Sequence, residues 1–174
     1  MKYITILLCL VGLTSCSQEK LTEYKTTKGG FSFSYNELWE KKLVNNQPIF
    51  LTKGDKKDKT NFRNNINVIV QDLSQNPMKL EDYHKLTLKQ MQQALGSNTV
   101  KSDKNITIDR LKAKELIYTI PQDISKGNFL ELKLKQVYLM KDNKAYLITY
   151  TAKSNDFDKY LKSANKFFET FKLN

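Results

Sequence analysis

Ala145-Tyr146-Leu147-Ile148-Thr149-Tyr150-Thr151-Ala152 is apolar or β-branched on both parities, and that continuity decides the fold. A strand sends successive side chains to opposite faces, so such a run needs cover on both. Asp142-Asn143-Lys144 is a tight connection, which makes Phe129 to Met140 the expected antiparallel partner upstream. Two more strands are expected before it, Thr99 to Asp109 and Leu111 to Ile120. The second ends at Pro121, and Asp123 to Asn128, around Gly127, forms the loop. Downstream, Asn155-Asp156 can cap a helix whose apolar residues Phe157, Tyr160, Leu161, Ala164, Phe167, Phe168 and Phe171 recur at three- and four-residue steps.

Towards the N-terminus, Phe31, Phe33 and Tyr35 alternate with Ser32 and Ser34, the pattern of a strand with one buried face, and Trp39 follows at the edge of the core. Pro48 to Thr52 reads as a short strand and Lys53 to Lys59 as an exposed charged turn. Ile66, Val68 and Val70 mark a third strand, which ends before Asn76-Pro77. Between Met78 and Leu95 the positions Leu80, Tyr83, Met91, Ala94 and Leu95 fall at helical spacing, with Thr87 completing the stripe and Gly96 as the stop. Strands joined by short turns favour an antiparallel sheet, and a central strand buried twice calls for helices on both faces. The expected class is α+β, an antiparallel β-sheet sandwiched between helices.

The order of these features resembles the PsbP-like family. The matching residues are Phe31-Ser32-Phe33-Ser34-Tyr35-Asn36-Glu37-Leu38-Trp39, Asn67-Val68-Ile69-Val70, Ala145 to Ala152, and Phe167-Phe168-Glu169-Thr170-Phe171. The resemblance spans nearly all of the chain after its leader and rests on packing motifs, which speak for fold more than for activity. Where the family usually has proline and glycine before its tryptophan, this chain has Asn36 and Glu37. Where the family often has glycine at the start of the middle strand, it has Lys112 or Lys114. Members that resemble it serve in photosystem assembly or as extracytoplasmic lipoproteins with no assigned reaction, and the second context is the one implied here.

The first residues carry an address. Met1-Lys2-Tyr3 precedes an apolar run from Ile4 to Leu13, and Leu13-Thr14-Ser15-Cys16 closes it. The run is about ten residues, within the range of a signal peptide and short of the roughly 20 that span a bilayer. It resembles a bacterial lipoprotein signal, which implies cleavage before Cys16 and acylation of that cysteine, palmitate included. Several acyl chains, at about 0.8 kcal/mol per buried CH₂, make a stable anchor. The expected division is a signal peptide over 1–15, a lipidated tether over 16–30, and a PsbP-like domain over 31–174. The expected location is the cell envelope, anchored to the membrane and extracytoplasmic.

Composition bounds the function. Roughly 160 residues after the leader suit one domain with a real core. The only cysteines are Cys9, inside the leader, and Cys16, the lipid site, so no thiol is left for a disulfide, a zinc site or a nucleophile. Lys and Arg total 29 against 18 Asp and Glu, but only Arg63 and Arg110 are arginine. Scattered lysine suits a solvated surface, anionic lipid headgroups or an envelope protein as partner, and not nucleic acid. A basic strip is expected along Lys133 and Lys135 with Lys112, Lys114, Lys141 and Lys144.

Chemistry is sparse. His84 is the single histidine, and Glu81 and Asp82 beside it make a poor metal set, so it is expected at the surface or at a groove edge. No Gly-x-Ser-x-Gly elbow occurs, and Gly29-Gly30 precedes a strand, not a helix that would cradle phosphate. No catalytic residue, metal ligand or cofactor is assigned, and the reading is a non-enzymatic binding or assembly module. The rival is a small-ligand-binding protein or enzyme with a cleft between helix and sheet near Trp39, Tyr83 and His84.

Overall fold

A computed structural model of the chain describes residues 19–45, 47–54, 58–96, 99–125 and 127–174. The expected signal peptide (1–15) and Cys16 lie outside the described residues. The elements in order are β1 (Leu21–Thr26), β2 (Phe31–Asn36), β3 (Trp39–Val44), β4 (Gln47–Thr52), β5 (Asn65–Asp72), α1 (Leu80–Leu95), β6 (Val100–Ile108), β7 (Leu111–Ser125), β8 (Asn128–Lys141), β9 (Lys144–Lys153), α2 (Phe157–Glu169) and β10 (Lys172–Leu173).

Ala145 to Ala152 lies within β9, at the centre of a seven-stranded sheet of order β3-β4-β5-β9-β8-β7-β6. Its even residues Tyr146, Ile148, Tyr150 and Ala152 belong to one core, with Ile66 and Val68 of β5 and Phe157, Phe167 and Phe168 of α2. Its odd residues face the other core: Ala145 and Leu147 join Leu116, Tyr118, Leu134 and Tyr138 beneath Tyr83 and Leu88 of α1. The need for double cover is therefore met, by different means on the two sides.

On the α2 side a second sheet, β1-β2-β10, lies beside the helix. Phe33 on β2 meets Phe167 at 5.0 Å and Phe50 at 5.1 Å, and Trp39 sits edge-on to Phe167 at 5.5 Å. Edge-on ring pairs contribute about 0.5–1.5 kcal/mol each beyond the area they bury. On the α1 side the cover is partial. α1 lies over β7, β8 and β9, and Ile69 of β5 remains 54 % exposed. The sandwich expected from sequence is thus complete over half the sheet.

Several boundaries differ from expectation. Residues 16–30 are expected as a tether, but Leu21–Thr26 forms β1, paired from Leu21↔Asn36 to Thr26↔Phe31, with Tyr24 against Phe33 at 5.2 Å. The folded body therefore begins before Phe31. β3 has no counterpart among the expected strands, because a run such as Glu40-Lys41-Lys42 shows its side chains largely to water and gains its partner only through the hairpin with β4. β7 does not end at Pro121, which pairs with Glu131 inside it. Thr119 N–H donates to Thr99, so Pro121 turns its missing N–H to the same side, beyond the first residue of β6, where no described residue takes a ladder bond from it. The expected helix stop holds: Gly96 at φ 87° donates its N–H to Gln92. Asp156 sits at the N-cap of α2 but makes no side-chain cap, because its carboxylate faces Lys153 at 3.4 Å and Asn64 at 3.4 Å.

Candidate functional site

His84 is not at a groove edge. It is 8 % exposed, on the buried face of α1, with both ring nitrogens engaged. Nδ1 lies 2.5 Å from the Tyr138 hydroxyl and Nε2 lies 3.1 Å from Asp103 Oδ2. Burial, with the Asp103 charge as a lesser cause, pushes the Tyr138 phenol well above its ordinary range, so it keeps its proton, and in the neutral ring form that gives Nε2–H to the acceptor-only Asp103 carboxylate it donates to Nδ1. Nε2–H then donates to Asp103. Beside this relay Lys114, also buried, donates to Glu81 at 2.7 Å and to Asn105 at 2.6 Å. Tyr83 donates to Gln71 at 2.9 Å.

These bonds pin α1 to β5, β6, β7 and β8. His84, Tyr138 and Asp103 satisfy one another's hydrogen bonds. Trp39 lies in the α2-side core and Tyr83 in the α1-side core, so the sheet separates the residues that a shared cleft would need. Among the described residues no group of three metal-ligating side chains converges, and no helix is long and apolar enough to cross a membrane.

The expected basic strip is dispersed. Lys135 pairs with Glu115 at 2.9 Å and lies over Phe168, and Lys133 lies over Phe157. Lys114 points into the opposite core. Asp58, in the stretch expected as an exposed turn, of which residues 55–57 lie outside the described residues, makes a half-buried clamp: held down to about pKa 2 by hydrogen bonds from Lys153 and Thr60, it binds Lys153 Nζ at 2.7 Å. Asn36, one of the departures from the family pattern, accepts from the Leu38 N–H and from Ser163, which in turn accepts from Trp39 Nε1–H at 2.7 Å. The turn before the tryptophan is held here by a side-chain relay.

The open feature is the seam between β4 and β5. Their ladder runs Leu51↔Asn65, Phe50↔Ile66, Ile49↔Asn67 and stops. Thr52 N–H donates to Asn64, which sets the parity: the even residues of β5 turn their backbone groups towards β4. The next pair would need an N–H from residue 48, and residue 48 is proline. Val68 C=O therefore lacks a donor there, and Val70 and Asp72 lie past the first residue of β4.

Hollows of about 380 and 390 Å³ flank this seam on its two faces and share Gln47, Pro48, Val68 and Val70. Val44 and Ile69 line one, and Lys28 and Lys144 stand at the other. Val44 and Ile69 are 53 % and 54 % exposed, and the Asn67 side-chain oxygen, buried in this wall, has no hydrogen-bond partner. Sequence reasoning missed the seam, although a proline opening a strand that should pair on both sides was its signal. Asp103 and Tyr138 gave no signal at all, because their meeting with His84 is made by the docking of α1.

The geometry defines an α+β domain built on a wide antiparallel sheet, with a helix and a small sheet on one face and a single helix on the other. The model of the PsbP family matches residues 19–173, and the chain belongs to that family. Among solved structures it is similar to cyanobacterial PsbP (CyanoP) from Synechocystis sp. PCC 6803, at 14% identity and a TM-score of 0.57, with 95% of this chain and 99% of that one covered. It is similar to LpqN of Mycobacterium tuberculosis, described as involved in cell envelope biogenesis, at 11% identity, 89% and 91% coverage and a TM-score of 0.60. A Pseudomonas aeruginosa protein of unknown function, PA94, described as a putative regulator, aligns at 16% identity, 83% and 91% coverage and a TM-score of 0.57. No curated protein matches the chain. At such identities the likeness is one of fold.

Proposed function

We propose that the chain is the folded body of a lipid-anchored, extracytoplasmic envelope protein that works by binding and not by turnover, taking an extended segment of a partner protein along the free edge of β5. The observation that carries this reading is the ladder stopped by Pro48: among the described residues no β4 donor meets the Val68 C=O, no ladder partner on that side meets Val70 or Asp72, and a hollow lies on each face. An added strand gains affinity from main-chain bonds and specificity from pockets for alternate side chains. Support for binding without catalysis comes from His84, whose two nitrogens are both committed to structure. Support for the anchor comes from Leu13-Thr14-Ser15-Cys16 after its apolar run.

A photo-crosslinking residue in place of Ile69 tests the reading in living cells. It should give one discrete adduct with a polypeptide, lost when Val44→Glu puts a charge into the same wall. Adducts of equal yield from position 69 and from Leu95 on α1 would remove the proposal.

A further inference from the structure

The end of the sheet opposite the seam carries a second unsatisfied feature. β8 pairs with β9 only as far as Leu132↔Lys153, with one more bond from Ser154 N–H to Glu131. β7 loses β6 at Thr119. Beyond Pro121↔Glu131 the β7–β8 hairpin is therefore, among the described residues, a ribbon with no third strand; Leu130 still packs on the α1-side core, and beyond its pair with Gln122 the ribbon reaches about 10 Å further, at roughly 3.3 Å per residue. A lone ribbon is marginal in water, and this one shows water Phe129, 65 % exposed, and Ile124, 40 % exposed, at a register shift.

The chain enters at this same end. β1 starts opposite Asn36, and Glu19 accepts a hydrogen bond from the Asn36 amide. Leu21 and Leu38, at that end, are 41 % and 46 % exposed. From Cys16 to Glu19 is three residues, a reach of at most about 11 Å. The β3–β4 hairpin, with exposed Leu43 and Val44, points the other way along β3, at roughly 3.3 Å per residue from Trp39.

We infer that the β7–β8 hairpin inserts Phe129 and Ile124 into the lipid surface beside the acylated Cys16, so that the domain stands on the membrane with the β4–β5 seam directed away from it. The inference rests on the anchor reading above. A tether of three residues does not let the body drift from the bilayer, and the exposed apolar residues at that end, Leu21 and Leu38 beside the entry and Phe129 and Ile124 on the hairpin, are the ones to meet the headgroup boundary. Side chains seated there sink about 5–10 Å into the interface.

The test uses the full chain, matured in cells and placed in vesicles of phosphatidylethanolamine and phosphatidylglycerol. With Cys9 removed and Cys16 acylated, Phe129→Cys and Ile69→Cys each supply one thiol for an environment-sensitive dye, and the intact mass of each preparation reports the acyl chains. The expected result is acylated protein in which the dye at 129 emits further to the blue and is quenched by nitroxide lipids severalfold more than the dye at 69. Acylated protein with equal quenching at both positions overturns the inference and leaves the anchor standing. A mature chain without acyl groups overturns both.

Discussion

Tyr138→Phe removes one oxygen from a side chain with no exposed surface and leaves His84 Nδ1 facing a ring edge. If the His84 relay exists to dock α1, the cost is that of stranding a buried acceptor, about 1–3 kcal/mol. For a domain of this size that lowers Tm by about 2–12 °C, at roughly 2–4 °C per kcal/mol. His84→Leu alone takes one partner from the Tyr138 hydroxyl, which keeps Thr87, at a smaller cost, while Asp103, 39 % exposed at its side chain, returns to water. The double variant removes both partners and recovers part of the loss, so the cycle should give a coupling of about 1 kcal/mol or more. Urea unfolding of the four proteins, followed by circular dichroism, measures it. Additive losses, or a Tyr138→Phe protein as stable as the parent, would refute the view that these groups are spent on docking the helix.

Other consequences are as direct. Phe167→Ala empties a fully buried site shared by Phe33, Phe50 and Trp39 and should cost about 3–5 kcal/mol in urea unfolding. Ser163→Ala takes the acceptor from Trp39 Nε1–H, at about 1–3 kcal/mol, and should move the emission of the single tryptophan. Asp58 titrates near 2 in the folded chain against an ordinary 3.8, so its clamp on Lys153 is fully present above about 3.8 and lost as pH falls through about 2. The stability gap between wild type and Asp58→Asn should therefore be constant from neutral pH to about 4 and close below it. A gap that persists at pH 2 would contradict the assignment.

Elements that owe their form to their own periodicity were legible. The doubly apolar β9 gave the central strand, and Phe157 to Phe171 gave α2 with its buried face. Elements that owe their form to a distant neighbour were not. β1 is mostly polar and exposed, with only Tyr24 and Thr26 half-buried, and it is a strand because β2 offers an edge. β7 crosses Pro121 because β6 has already ended on that side. The candidate seam was half legible, since Pro48 stood in the sequence but its consequence depended on β5 lying opposite. His84 was visible as a lone histidine, whereas its partners sit 54 and 19 residues away. Spacing along the chain carries no information about such a meeting.

The most direct test is amide hydrogen exchange on the complex recovered by crosslinking from position 69. The account predicts that the amides of Val70 and Asp72, turned towards the open side of β5, slow markedly on binding, while those of Ile69 and Gln71, already paired with β9, change little. Unchanged exchange at Val70 and Asp72, with new protection on α1 instead, would contradict it.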